Sequence, residues 1–286
     1  MPTSRRNQGC LVLCLLLAAA ATVGGADLAA AQQVAVANNS FELGARRPEG
    51  WSLSGGAGEW TEGEAPNGRR TVRVTGTGDD TNYWRSQPLS LEPGGLYELS
   101  FMVRSQASAG TPVTGPVFCN RDLETIGSQW QEFRSVFAAP AAMAPGRSWL
   151  RFGQWHANGS IDYDRIELRR AQPVYAAAGG TPLGDGERLD GDTYTCLGPG
   201  SARGGNHSRA LAGHNCDFNT YRWCFGTGSF VTYRHALTGR RQLEAEVSVS
   251  VGYHEQGSLL VEASADSAAW TAVGRLDSSG TGRFAV

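Results

Sequence analysis

The strongest constraint on this chain is a two-residue rhythm. In "LEAEVSVSVGY" the residues Leu243, Ala245, Val247, Val249, Val251 and Tyr253 share one parity, and Glu244, Glu246, Ser248 and Ser250 take the other. A strand sends successive side chains to opposite faces, so this pattern sorts apolar from polar only if the backbone is extended. "LYELSFMVR" repeats it, with Tyr97, Leu99, Phe101 and Val103 on one face and Glu98, Ser100 and Arg104 on the other. Val72 and Val74 alternate in "TVRVT", Phe133 and Phe137 in "EFRSVF", and Tyr221, Trp223 and Phe225 in "YRWCF". Turn clusters separate these runs: "SLSGGAGE", "LEPGG", "SQASAGTP", "PLGDGERLDGD", "LGPGSARGGN" and "DSSGTG". No segment after residue 31 keeps a helical period. The expected fold class is all-β, built as two tandem β-sandwiches.

The chain of 286 residues has room for two such domains, and 41% hydrophobic with 18% charged residues describes a folded protein. A net charge of −2, with no basic cluster beyond isolated Arg-Arg pairs such as Arg69-Arg70 and Arg240-Arg241, gives no reason to expect nucleic acid as a partner. All 25 basic residues are arginine. That reads either as the codon habit of a GC-rich genome or as selection for guanidinium forks on acidic ligands.

Residues 1–31 read as a signal peptide. Arg5 and Arg6 precede the apolar run "CLVLCLLLAAAATV", which is too short to span a membrane comfortably, and "LAAAQQ" offers cleavage after Ala31. The expected location is therefore secreted or cell-envelope. The mature chain keeps Cys119, Cys196, Cys216 and Cys224, for which export makes a disulfide the default expectation. His207, His214, Cys216 and Cys224 are also zinc-capable, but their spacing matches no standard site. The Pro, Ala and Gly stretch between residues 169 and 187 divides a first sandwich, 34–172, from a second, 175–286. The second ends at "GRFAV" with no patterned strand after it, so it is expected to lack closing strands.

Two residues near the end of the first sandwich break its pattern. In "RFGQWHANGSIDYDRIEL", Leu150 and Phe152 set a buried even phase, which leaves Trp155 outward. Ile166 and Leu168 set an even phase again, and Asp164 shares their parity. An inward carboxylate needs a partner. A hard cation such as calcium is one, and Glu42 in "NNSFELG" would approach Asp164 if the first strand lay beside the last. Outward aromatics form a second class of exception. Trp60, Trp155, and one of the adjacent pair Tyr83 and Trp84 fall off the core phase, with Arg85, Arg104, Gln154 and His156 as polar neighbours. Trp51, Trp130 and Trp149 are assigned to the core.

Four segments in order, "NNSFELG...GW", "YWRSQPLSLEPGGLYELSFMVRS", "WQEFRSVFAAP" and "RFGQWHANGSIDYDRIELR", resemble carbohydrate-binding modules of the family 4/9 type over residues 39–168. The resemblance implies a galactose-binding-like jelly roll that holds a polysaccharide on aromatic planes. It also implies a structural calcium ion, with Glu42 and Asp164 at the matching positions. A looser resemblance, carried by Ser264, Asp266 and Trp270 in "S-x-D-x-x-x-W", links residues 206–285 to discoidin-like modules. There is no G-x-S-x-G elbow, no H-E-x-x-H and no phosphate loop, so no catalysis is expected. Three functions follow: a secreted glycan-binding protein, a cell-envelope adhesive module, or the accessory region of a larger glycoside hydrolase.

Overall fold

The structure is a computed structural model that describes residues 9–15, 32–173, 175–178, 180–198 and 205–286. Among these residues every regular element is a strand, and no helix is long and apolar enough to cross a membrane. The remainder of the expected signal segment lies outside the described residues.

Two sheets face each other in the first half. One runs in the order Gln131–Ala138, Leu96–Ser105, Asn158–Arg170, Arg70–Thr77, Ala57–Glu62, with Gln33–Val34 added beside Asn158–Arg170. The other runs Arg222–Cys224, Asp217–Asn219, Cys119–Asp122, Thr111–Pro116, Leu150–Trp155, Thr81–Ser86, Trp51–Ser54. The expected alternation fills the space between them. Val72, Val74, Leu99, Phe101, Val103, Leu150 and Phe152 are all at most 2% exposed. Phe101 meets Phe152 edge-on across the gap, with ring centroids 5.1 Å apart. The second sheet continues beyond the first half of the chain, because Asp217–Asn219 pairs in parallel with Cys119–Asp122 and Phe218 enters the same core.

The second half is thinner. Its five-stranded sheet runs Leu211–His214, Val231–His235, Gly9–Leu15, Leu259–Ser264, Thr271–Leu276, and Glu246–Val251 pairs separately with Gly280–Ala285. The Gly9–Leu15 strand comes from the apolar run of the expected signal segment and is parallel to both neighbours. The long alternating run is correct in phase, since Val247, Val249 and Val251 are half-buried and Glu246, Ser248 and Ser250 exposed. It is wrong in extent: Leu243 and Tyr253 lie outside the strand, 81% and 76% exposed. Tyr221 and Phe225 are likewise exposed, leaving Trp223 as the packed member of its trio.

The disulfide expectation is corrected. Cys119, Cys196, Cys216 and Cys224 are free thiols. Cys119 is buried in the first core and Cys216 in the second, and burial pushes each thiol up to about 12. Asn206 and His214 are buried too. They tie the backbone of Ala138 to the second half through Asn206 Oδ1 at 2.8 Å and His214 Nε2 at 3.1 Å, so both serve packing.

Candidate functional site

The outward face of the second sheet carries the candidate site. Core residues Leu150 and Phe152 force Arg151, Gly153 and Trp155 to the opposite side. Pairing then aligns rows across the sheet. Ser52, Arg85, Arg151 and Gly115 form one row, and Ser54, Tyr83, Gly153 and Val113 the next. Trp155 lies between Thr81 and Thr111 in a third.

Gly153 is the floor. A Cβ there would lie 2.2 Å from Asn82 O and 2.3 Å from Tyr83 Cβ, so no larger residue fits without displacing the neighbouring strand. Beneath it the buried Tyr163 hydroxyl donates to Gly153 O, which fixes the floor to the core. On one side Tyr83 stacks on Trp149, centroids 5.7 Å apart and planes 10° apart, and the Arg85 guanidinium lies 4.3 Å over Trp149. On the other side Trp155 is 52% exposed and stacks on His156 at 4.4 Å. An open groove of about 640 Å³ continues from Arg85 past Ser52 to the loop carrying Arg46, Arg47 and Glu49.

The structure thus brings together Tyr83, Arg85, Trp155 and His156 from the sequence-derived set. It removes others. Trp84 is 4% exposed, and its indole N–H donates to Arg73 O inside the core at 2.9 Å. Gln154 is 1% exposed and is spent on the turn that follows, accepting from Ala157 N at 2.7 Å and donating to Asp80 at 3.1 Å. Trp60 belongs to the other sheet, where it donates to Phe41 O at 2.7 Å under the Arg70 guanidinium. Arg104 also belongs to that sheet, bound to Asp162 at 2.8 Å and lying over Trp130. Trp149, assigned to the core from sequence, is indeed buried at 8% exposure, but on the outward side of the sheet, where Tyr83 and the Arg85 guanidinium cover it. Its odd parity, shared with Arg151 and Trp155, was the available signal.

Asp164 is fully buried, but its phase differs from the sequence reading. Arg165 has φ 52°, and the register shifts between Asp164 and Glu167. This bulge changes parity, so Ile161 and Tyr163 face the core before it and Ile166 and Leu168 after it. Asp164 is in step with Asp162, away from the core. Its Oδ2 accepts from Asn67 N at 2.8 Å and its Oδ1 from Arg165 N at 2.7 Å. Glu42 Oε1 accepts from Arg69 N and Arg70 N at 2.8 and 2.7 Å. The two carboxylates therefore grip one loop. Burial, with the Glu42 charge added, lifts the Asp164 carboxyl to about 6 against the pull of its amide partners. A buried Asp164 carboxylate with the half-buried Glu42 carboxylate close enough to repel it offers hard oxygen donors that fit a divalent cation.

Glu187, Cys196 and His235 also place possible ligand atoms within 4.8 Å of one another. Here the carboxylate is already taken. Arg209 donates through Nε and, at 2.6 Å, through Nη2, while Tyr194 OH and Gly184 N donate as well. Four donors fill its acceptor positions, so this cluster is a polar lock. The Ser264 and Asp266 pair of the discoidin-like motif caps a turn, with Asp266 Oδ1 accepting from Ala268 N and Ala269 N.

No family model and no curated protein matches the chain. Among solved structures, a CBM22-1 xylan-binding domain from Paenibacillus barcinonensis is 17% identical, with 51% of this chain and 100% of that one covered at TM-score 0.35. A CBM4 structure is 13% identical over 48% of this chain and 100% of its own, TM-score 0.37. The CBM22-1 and GH10 modules of a Clostridium thermocellum xylanase, complexed with xylohexaose, are 16% identical over 52% of this chain, TM-score 0.36. This chain spans 30% of that xylanase structure's length.

Proposed function

We propose that the chain is an exported, non-catalytic glycan-binding protein that holds a polysaccharide on the outward face of its second sheet. The observation that carries this reading is the arrangement around Gly153. Gly153, which has no side chain, separates the half-buried Tyr83, backed by the buried Trp149, from the exposed Trp155, and Tyr83 and Trp155 each present a flat apolar ring with polar neighbours. A sugar ring presents an apolar C–H face to such a plane and its hydroxyls to groups such as Arg85, Ser52 and His156. The resemblance of residues 39–168 to family 4/9 modules supports the same reading.

Affinity electrophoresis against a panel of plant, algal and microbial polysaccharides tests it. At least one polymer should retard the protein, and Trp155→Ala with Tyr83→Ala should abolish the retardation while the thermal transition stays in place. Retardation by none of the panel, with or without calcium, would sink the reading. A role as accessory region of a glycoside hydrolase uses the same face and predicts the same retardation.

Calcium at Glu42 and Asp164 is proposed as a stabiliser of the loop near Gly68. Because the folded Asp164 carboxyl is raised, its charge costs stability as pH rises from its ordinary range of about 4 through about 6. A cation offsets that cost only when Asp164 is ionised. The rise in melting temperature on adding calcium should therefore be large at pH 7.5, small at pH 5, and absent in Asp164→Asn. An equal rise in the variant would place the ion elsewhere.

A further inference from the structure

Resting on the glycan-binding reading, we propose that this face selects anionic chains, with Arg85 and Arg151 gripping the carboxylates of a uronate-containing polysaccharide and Arg46 and Arg47 extending the grip along the groove.

Arg85 and Arg151 are direct cross-strand partners on the outward face. Like charges opposite one another in a sheet destabilise it, and proteins commonly place a carboxylate between them. None stands here. Arg46, Arg47, Arg85 and Arg151 form no ion pair among the described residues, although most other arginines of the first half do. Arg151 is half-buried, and its Nε, shielded from solvent, has no hydrogen-bond partner. A shielded guanidinium N–H without an acceptor is a deficit that a ligand oxygen would remove.

The nearby acids do not fill the role. Asp217 is held by Arg147 at 2.8 Å, and Asp122 Oδ1 accepts from Asn120 at 2.6 Å. They lie close enough to favour the Arg151 charge against its burial, yet neither bonds it. Glu49 lines the groove as its one carboxylate, against Arg46, Arg47 and Arg85. The groove is therefore positive where the chain as a whole is slightly negative.

The geometry favours a carboxylate attached to a ring. Arg85 is fixed over Trp149, so its planar fork is oriented before any ligand arrives. The adjacent row offers the half-buried Tyr83 beside the side-chain-free Gly153, so a sugar ring resting on Tyr83 would reach the arginine row with its substituent. A planar carboxylate accepts two parallel N–H bonds from such a fork.

The test compares polymers that differ only in charge. Pectate, alginate, glucuronoxylan and hyaluronate are each presented to the full chain alongside their carboxyl-reduced counterparts, by affinity electrophoresis and calorimetry. At least one uronate polymer should bind, and its reduced counterpart should bind at least about tenfold more weakly. Raising salt from about 50 mM to about 0.5 M should weaken the uronate complex several-fold. Arg85→Gln and Arg151→Gln should each cost about tenfold or more. Arg46→Gln with Arg47→Gln, on the exposed loop, should cost less and leave the fold untouched. Arg275→Gln, distant and paired with Asp277, controls for net charge. Equal binding of native and reduced polymers, or arginine variants that bind as tightly as the parent, overturns the anionic preference and leaves glycan binding standing. Binding to no polymer overturns both.

Discussion

The two halves of the chain use the same strand pattern but hold together by different means. The first closes two sheets on a continuous apolar core that includes Phe101, Leu150, Phe152, Tyr163 and Ile166. The second buries Cys216, Val231 and Val261 as its own core, with Val247, Val249, Leu259 and Phe284 only half-covered. What it lacks in apolar packing it partly makes up in a polar lock. The Glu187 side chain is 0% exposed, Arg209 11%, and Tyr194 links the pair to His235 at 3.1 Å. Alternation therefore specifies strands in both halves, but the depth of burial decides what a mutation costs.

The largest effect should come from the first core. Phe152 touches Trp51, Phe101 and Tyr163, so Phe152→Ala should cost about 3–5 kcal/mol in denaturant unfolding. Val261→Ala in the second core should cost distinctly less, because it removes a smaller side chain from a smaller core. Equal costs would mean that the second half is as well packed as the first.

Removing residues 1–31 sharpens the contrast further. The Gly9–Leu15 strand separates Val231–His235 from Leu259–Ser264, so its loss leaves two unpaired edges in mid-sheet. Hydrogen exchange should accelerate at those two strands and stay unchanged at Leu96–Ser105. Unchanged protection at all three would show that the five-stranded sheet does not depend on this strand.

The polar lock comes next. Burial pushes the Glu187 carboxyl up, but the bonds from Arg209, Tyr194 and Gly184 outweigh it and hold the group below its ordinary range. A depressed carboxyl stabilises the fold above its unfolded value of about 4 and loses that contribution as pH falls through the folded one. Glu187→Gln leaves Arg209 without its counter-charge and should cost about 3 kcal/mol at neutral pH. The parent should lose the same advantage in acid. A variant with the parent's stability and the parent's acid profile would refute the lock.

These differences mark where the sequence was readable. Strands and their faces were legible at Val72, Val74, Tyr97 to Val103, and Leu150 to Trp155, because each side chain's parity is set locally. Asp164 was found for the wrong reason. A bulge at Arg165 exchanges the two faces, and nothing in "DYDRIEL" reveals a positive φ at an arginine. The members of the Glu187 lock lie at 187, 194, 209 and 235, too far apart for any local pattern to join them. Trp84 and Gln154 were chosen for residue type rather than phase, and phase put them inside.

The smallest effect tests alternation itself. Leu243 and Tyr253 continue the parity of Val247 and Val249 beyond the ends of Glu246–Val251. If parity alone created a buried face, Leu243→Ser would remove apolar packing. Leu243 is 81% exposed, so its side chain has little burial to lose. The expected change is within about 0.5 kcal/mol, as for surface substitutions generally, whereas Val249→Ser within the strand should cost clearly more. A matching loss at Leu243 would mean that the apolar face extends past the strand and is covered in solution by something that buries Leu243.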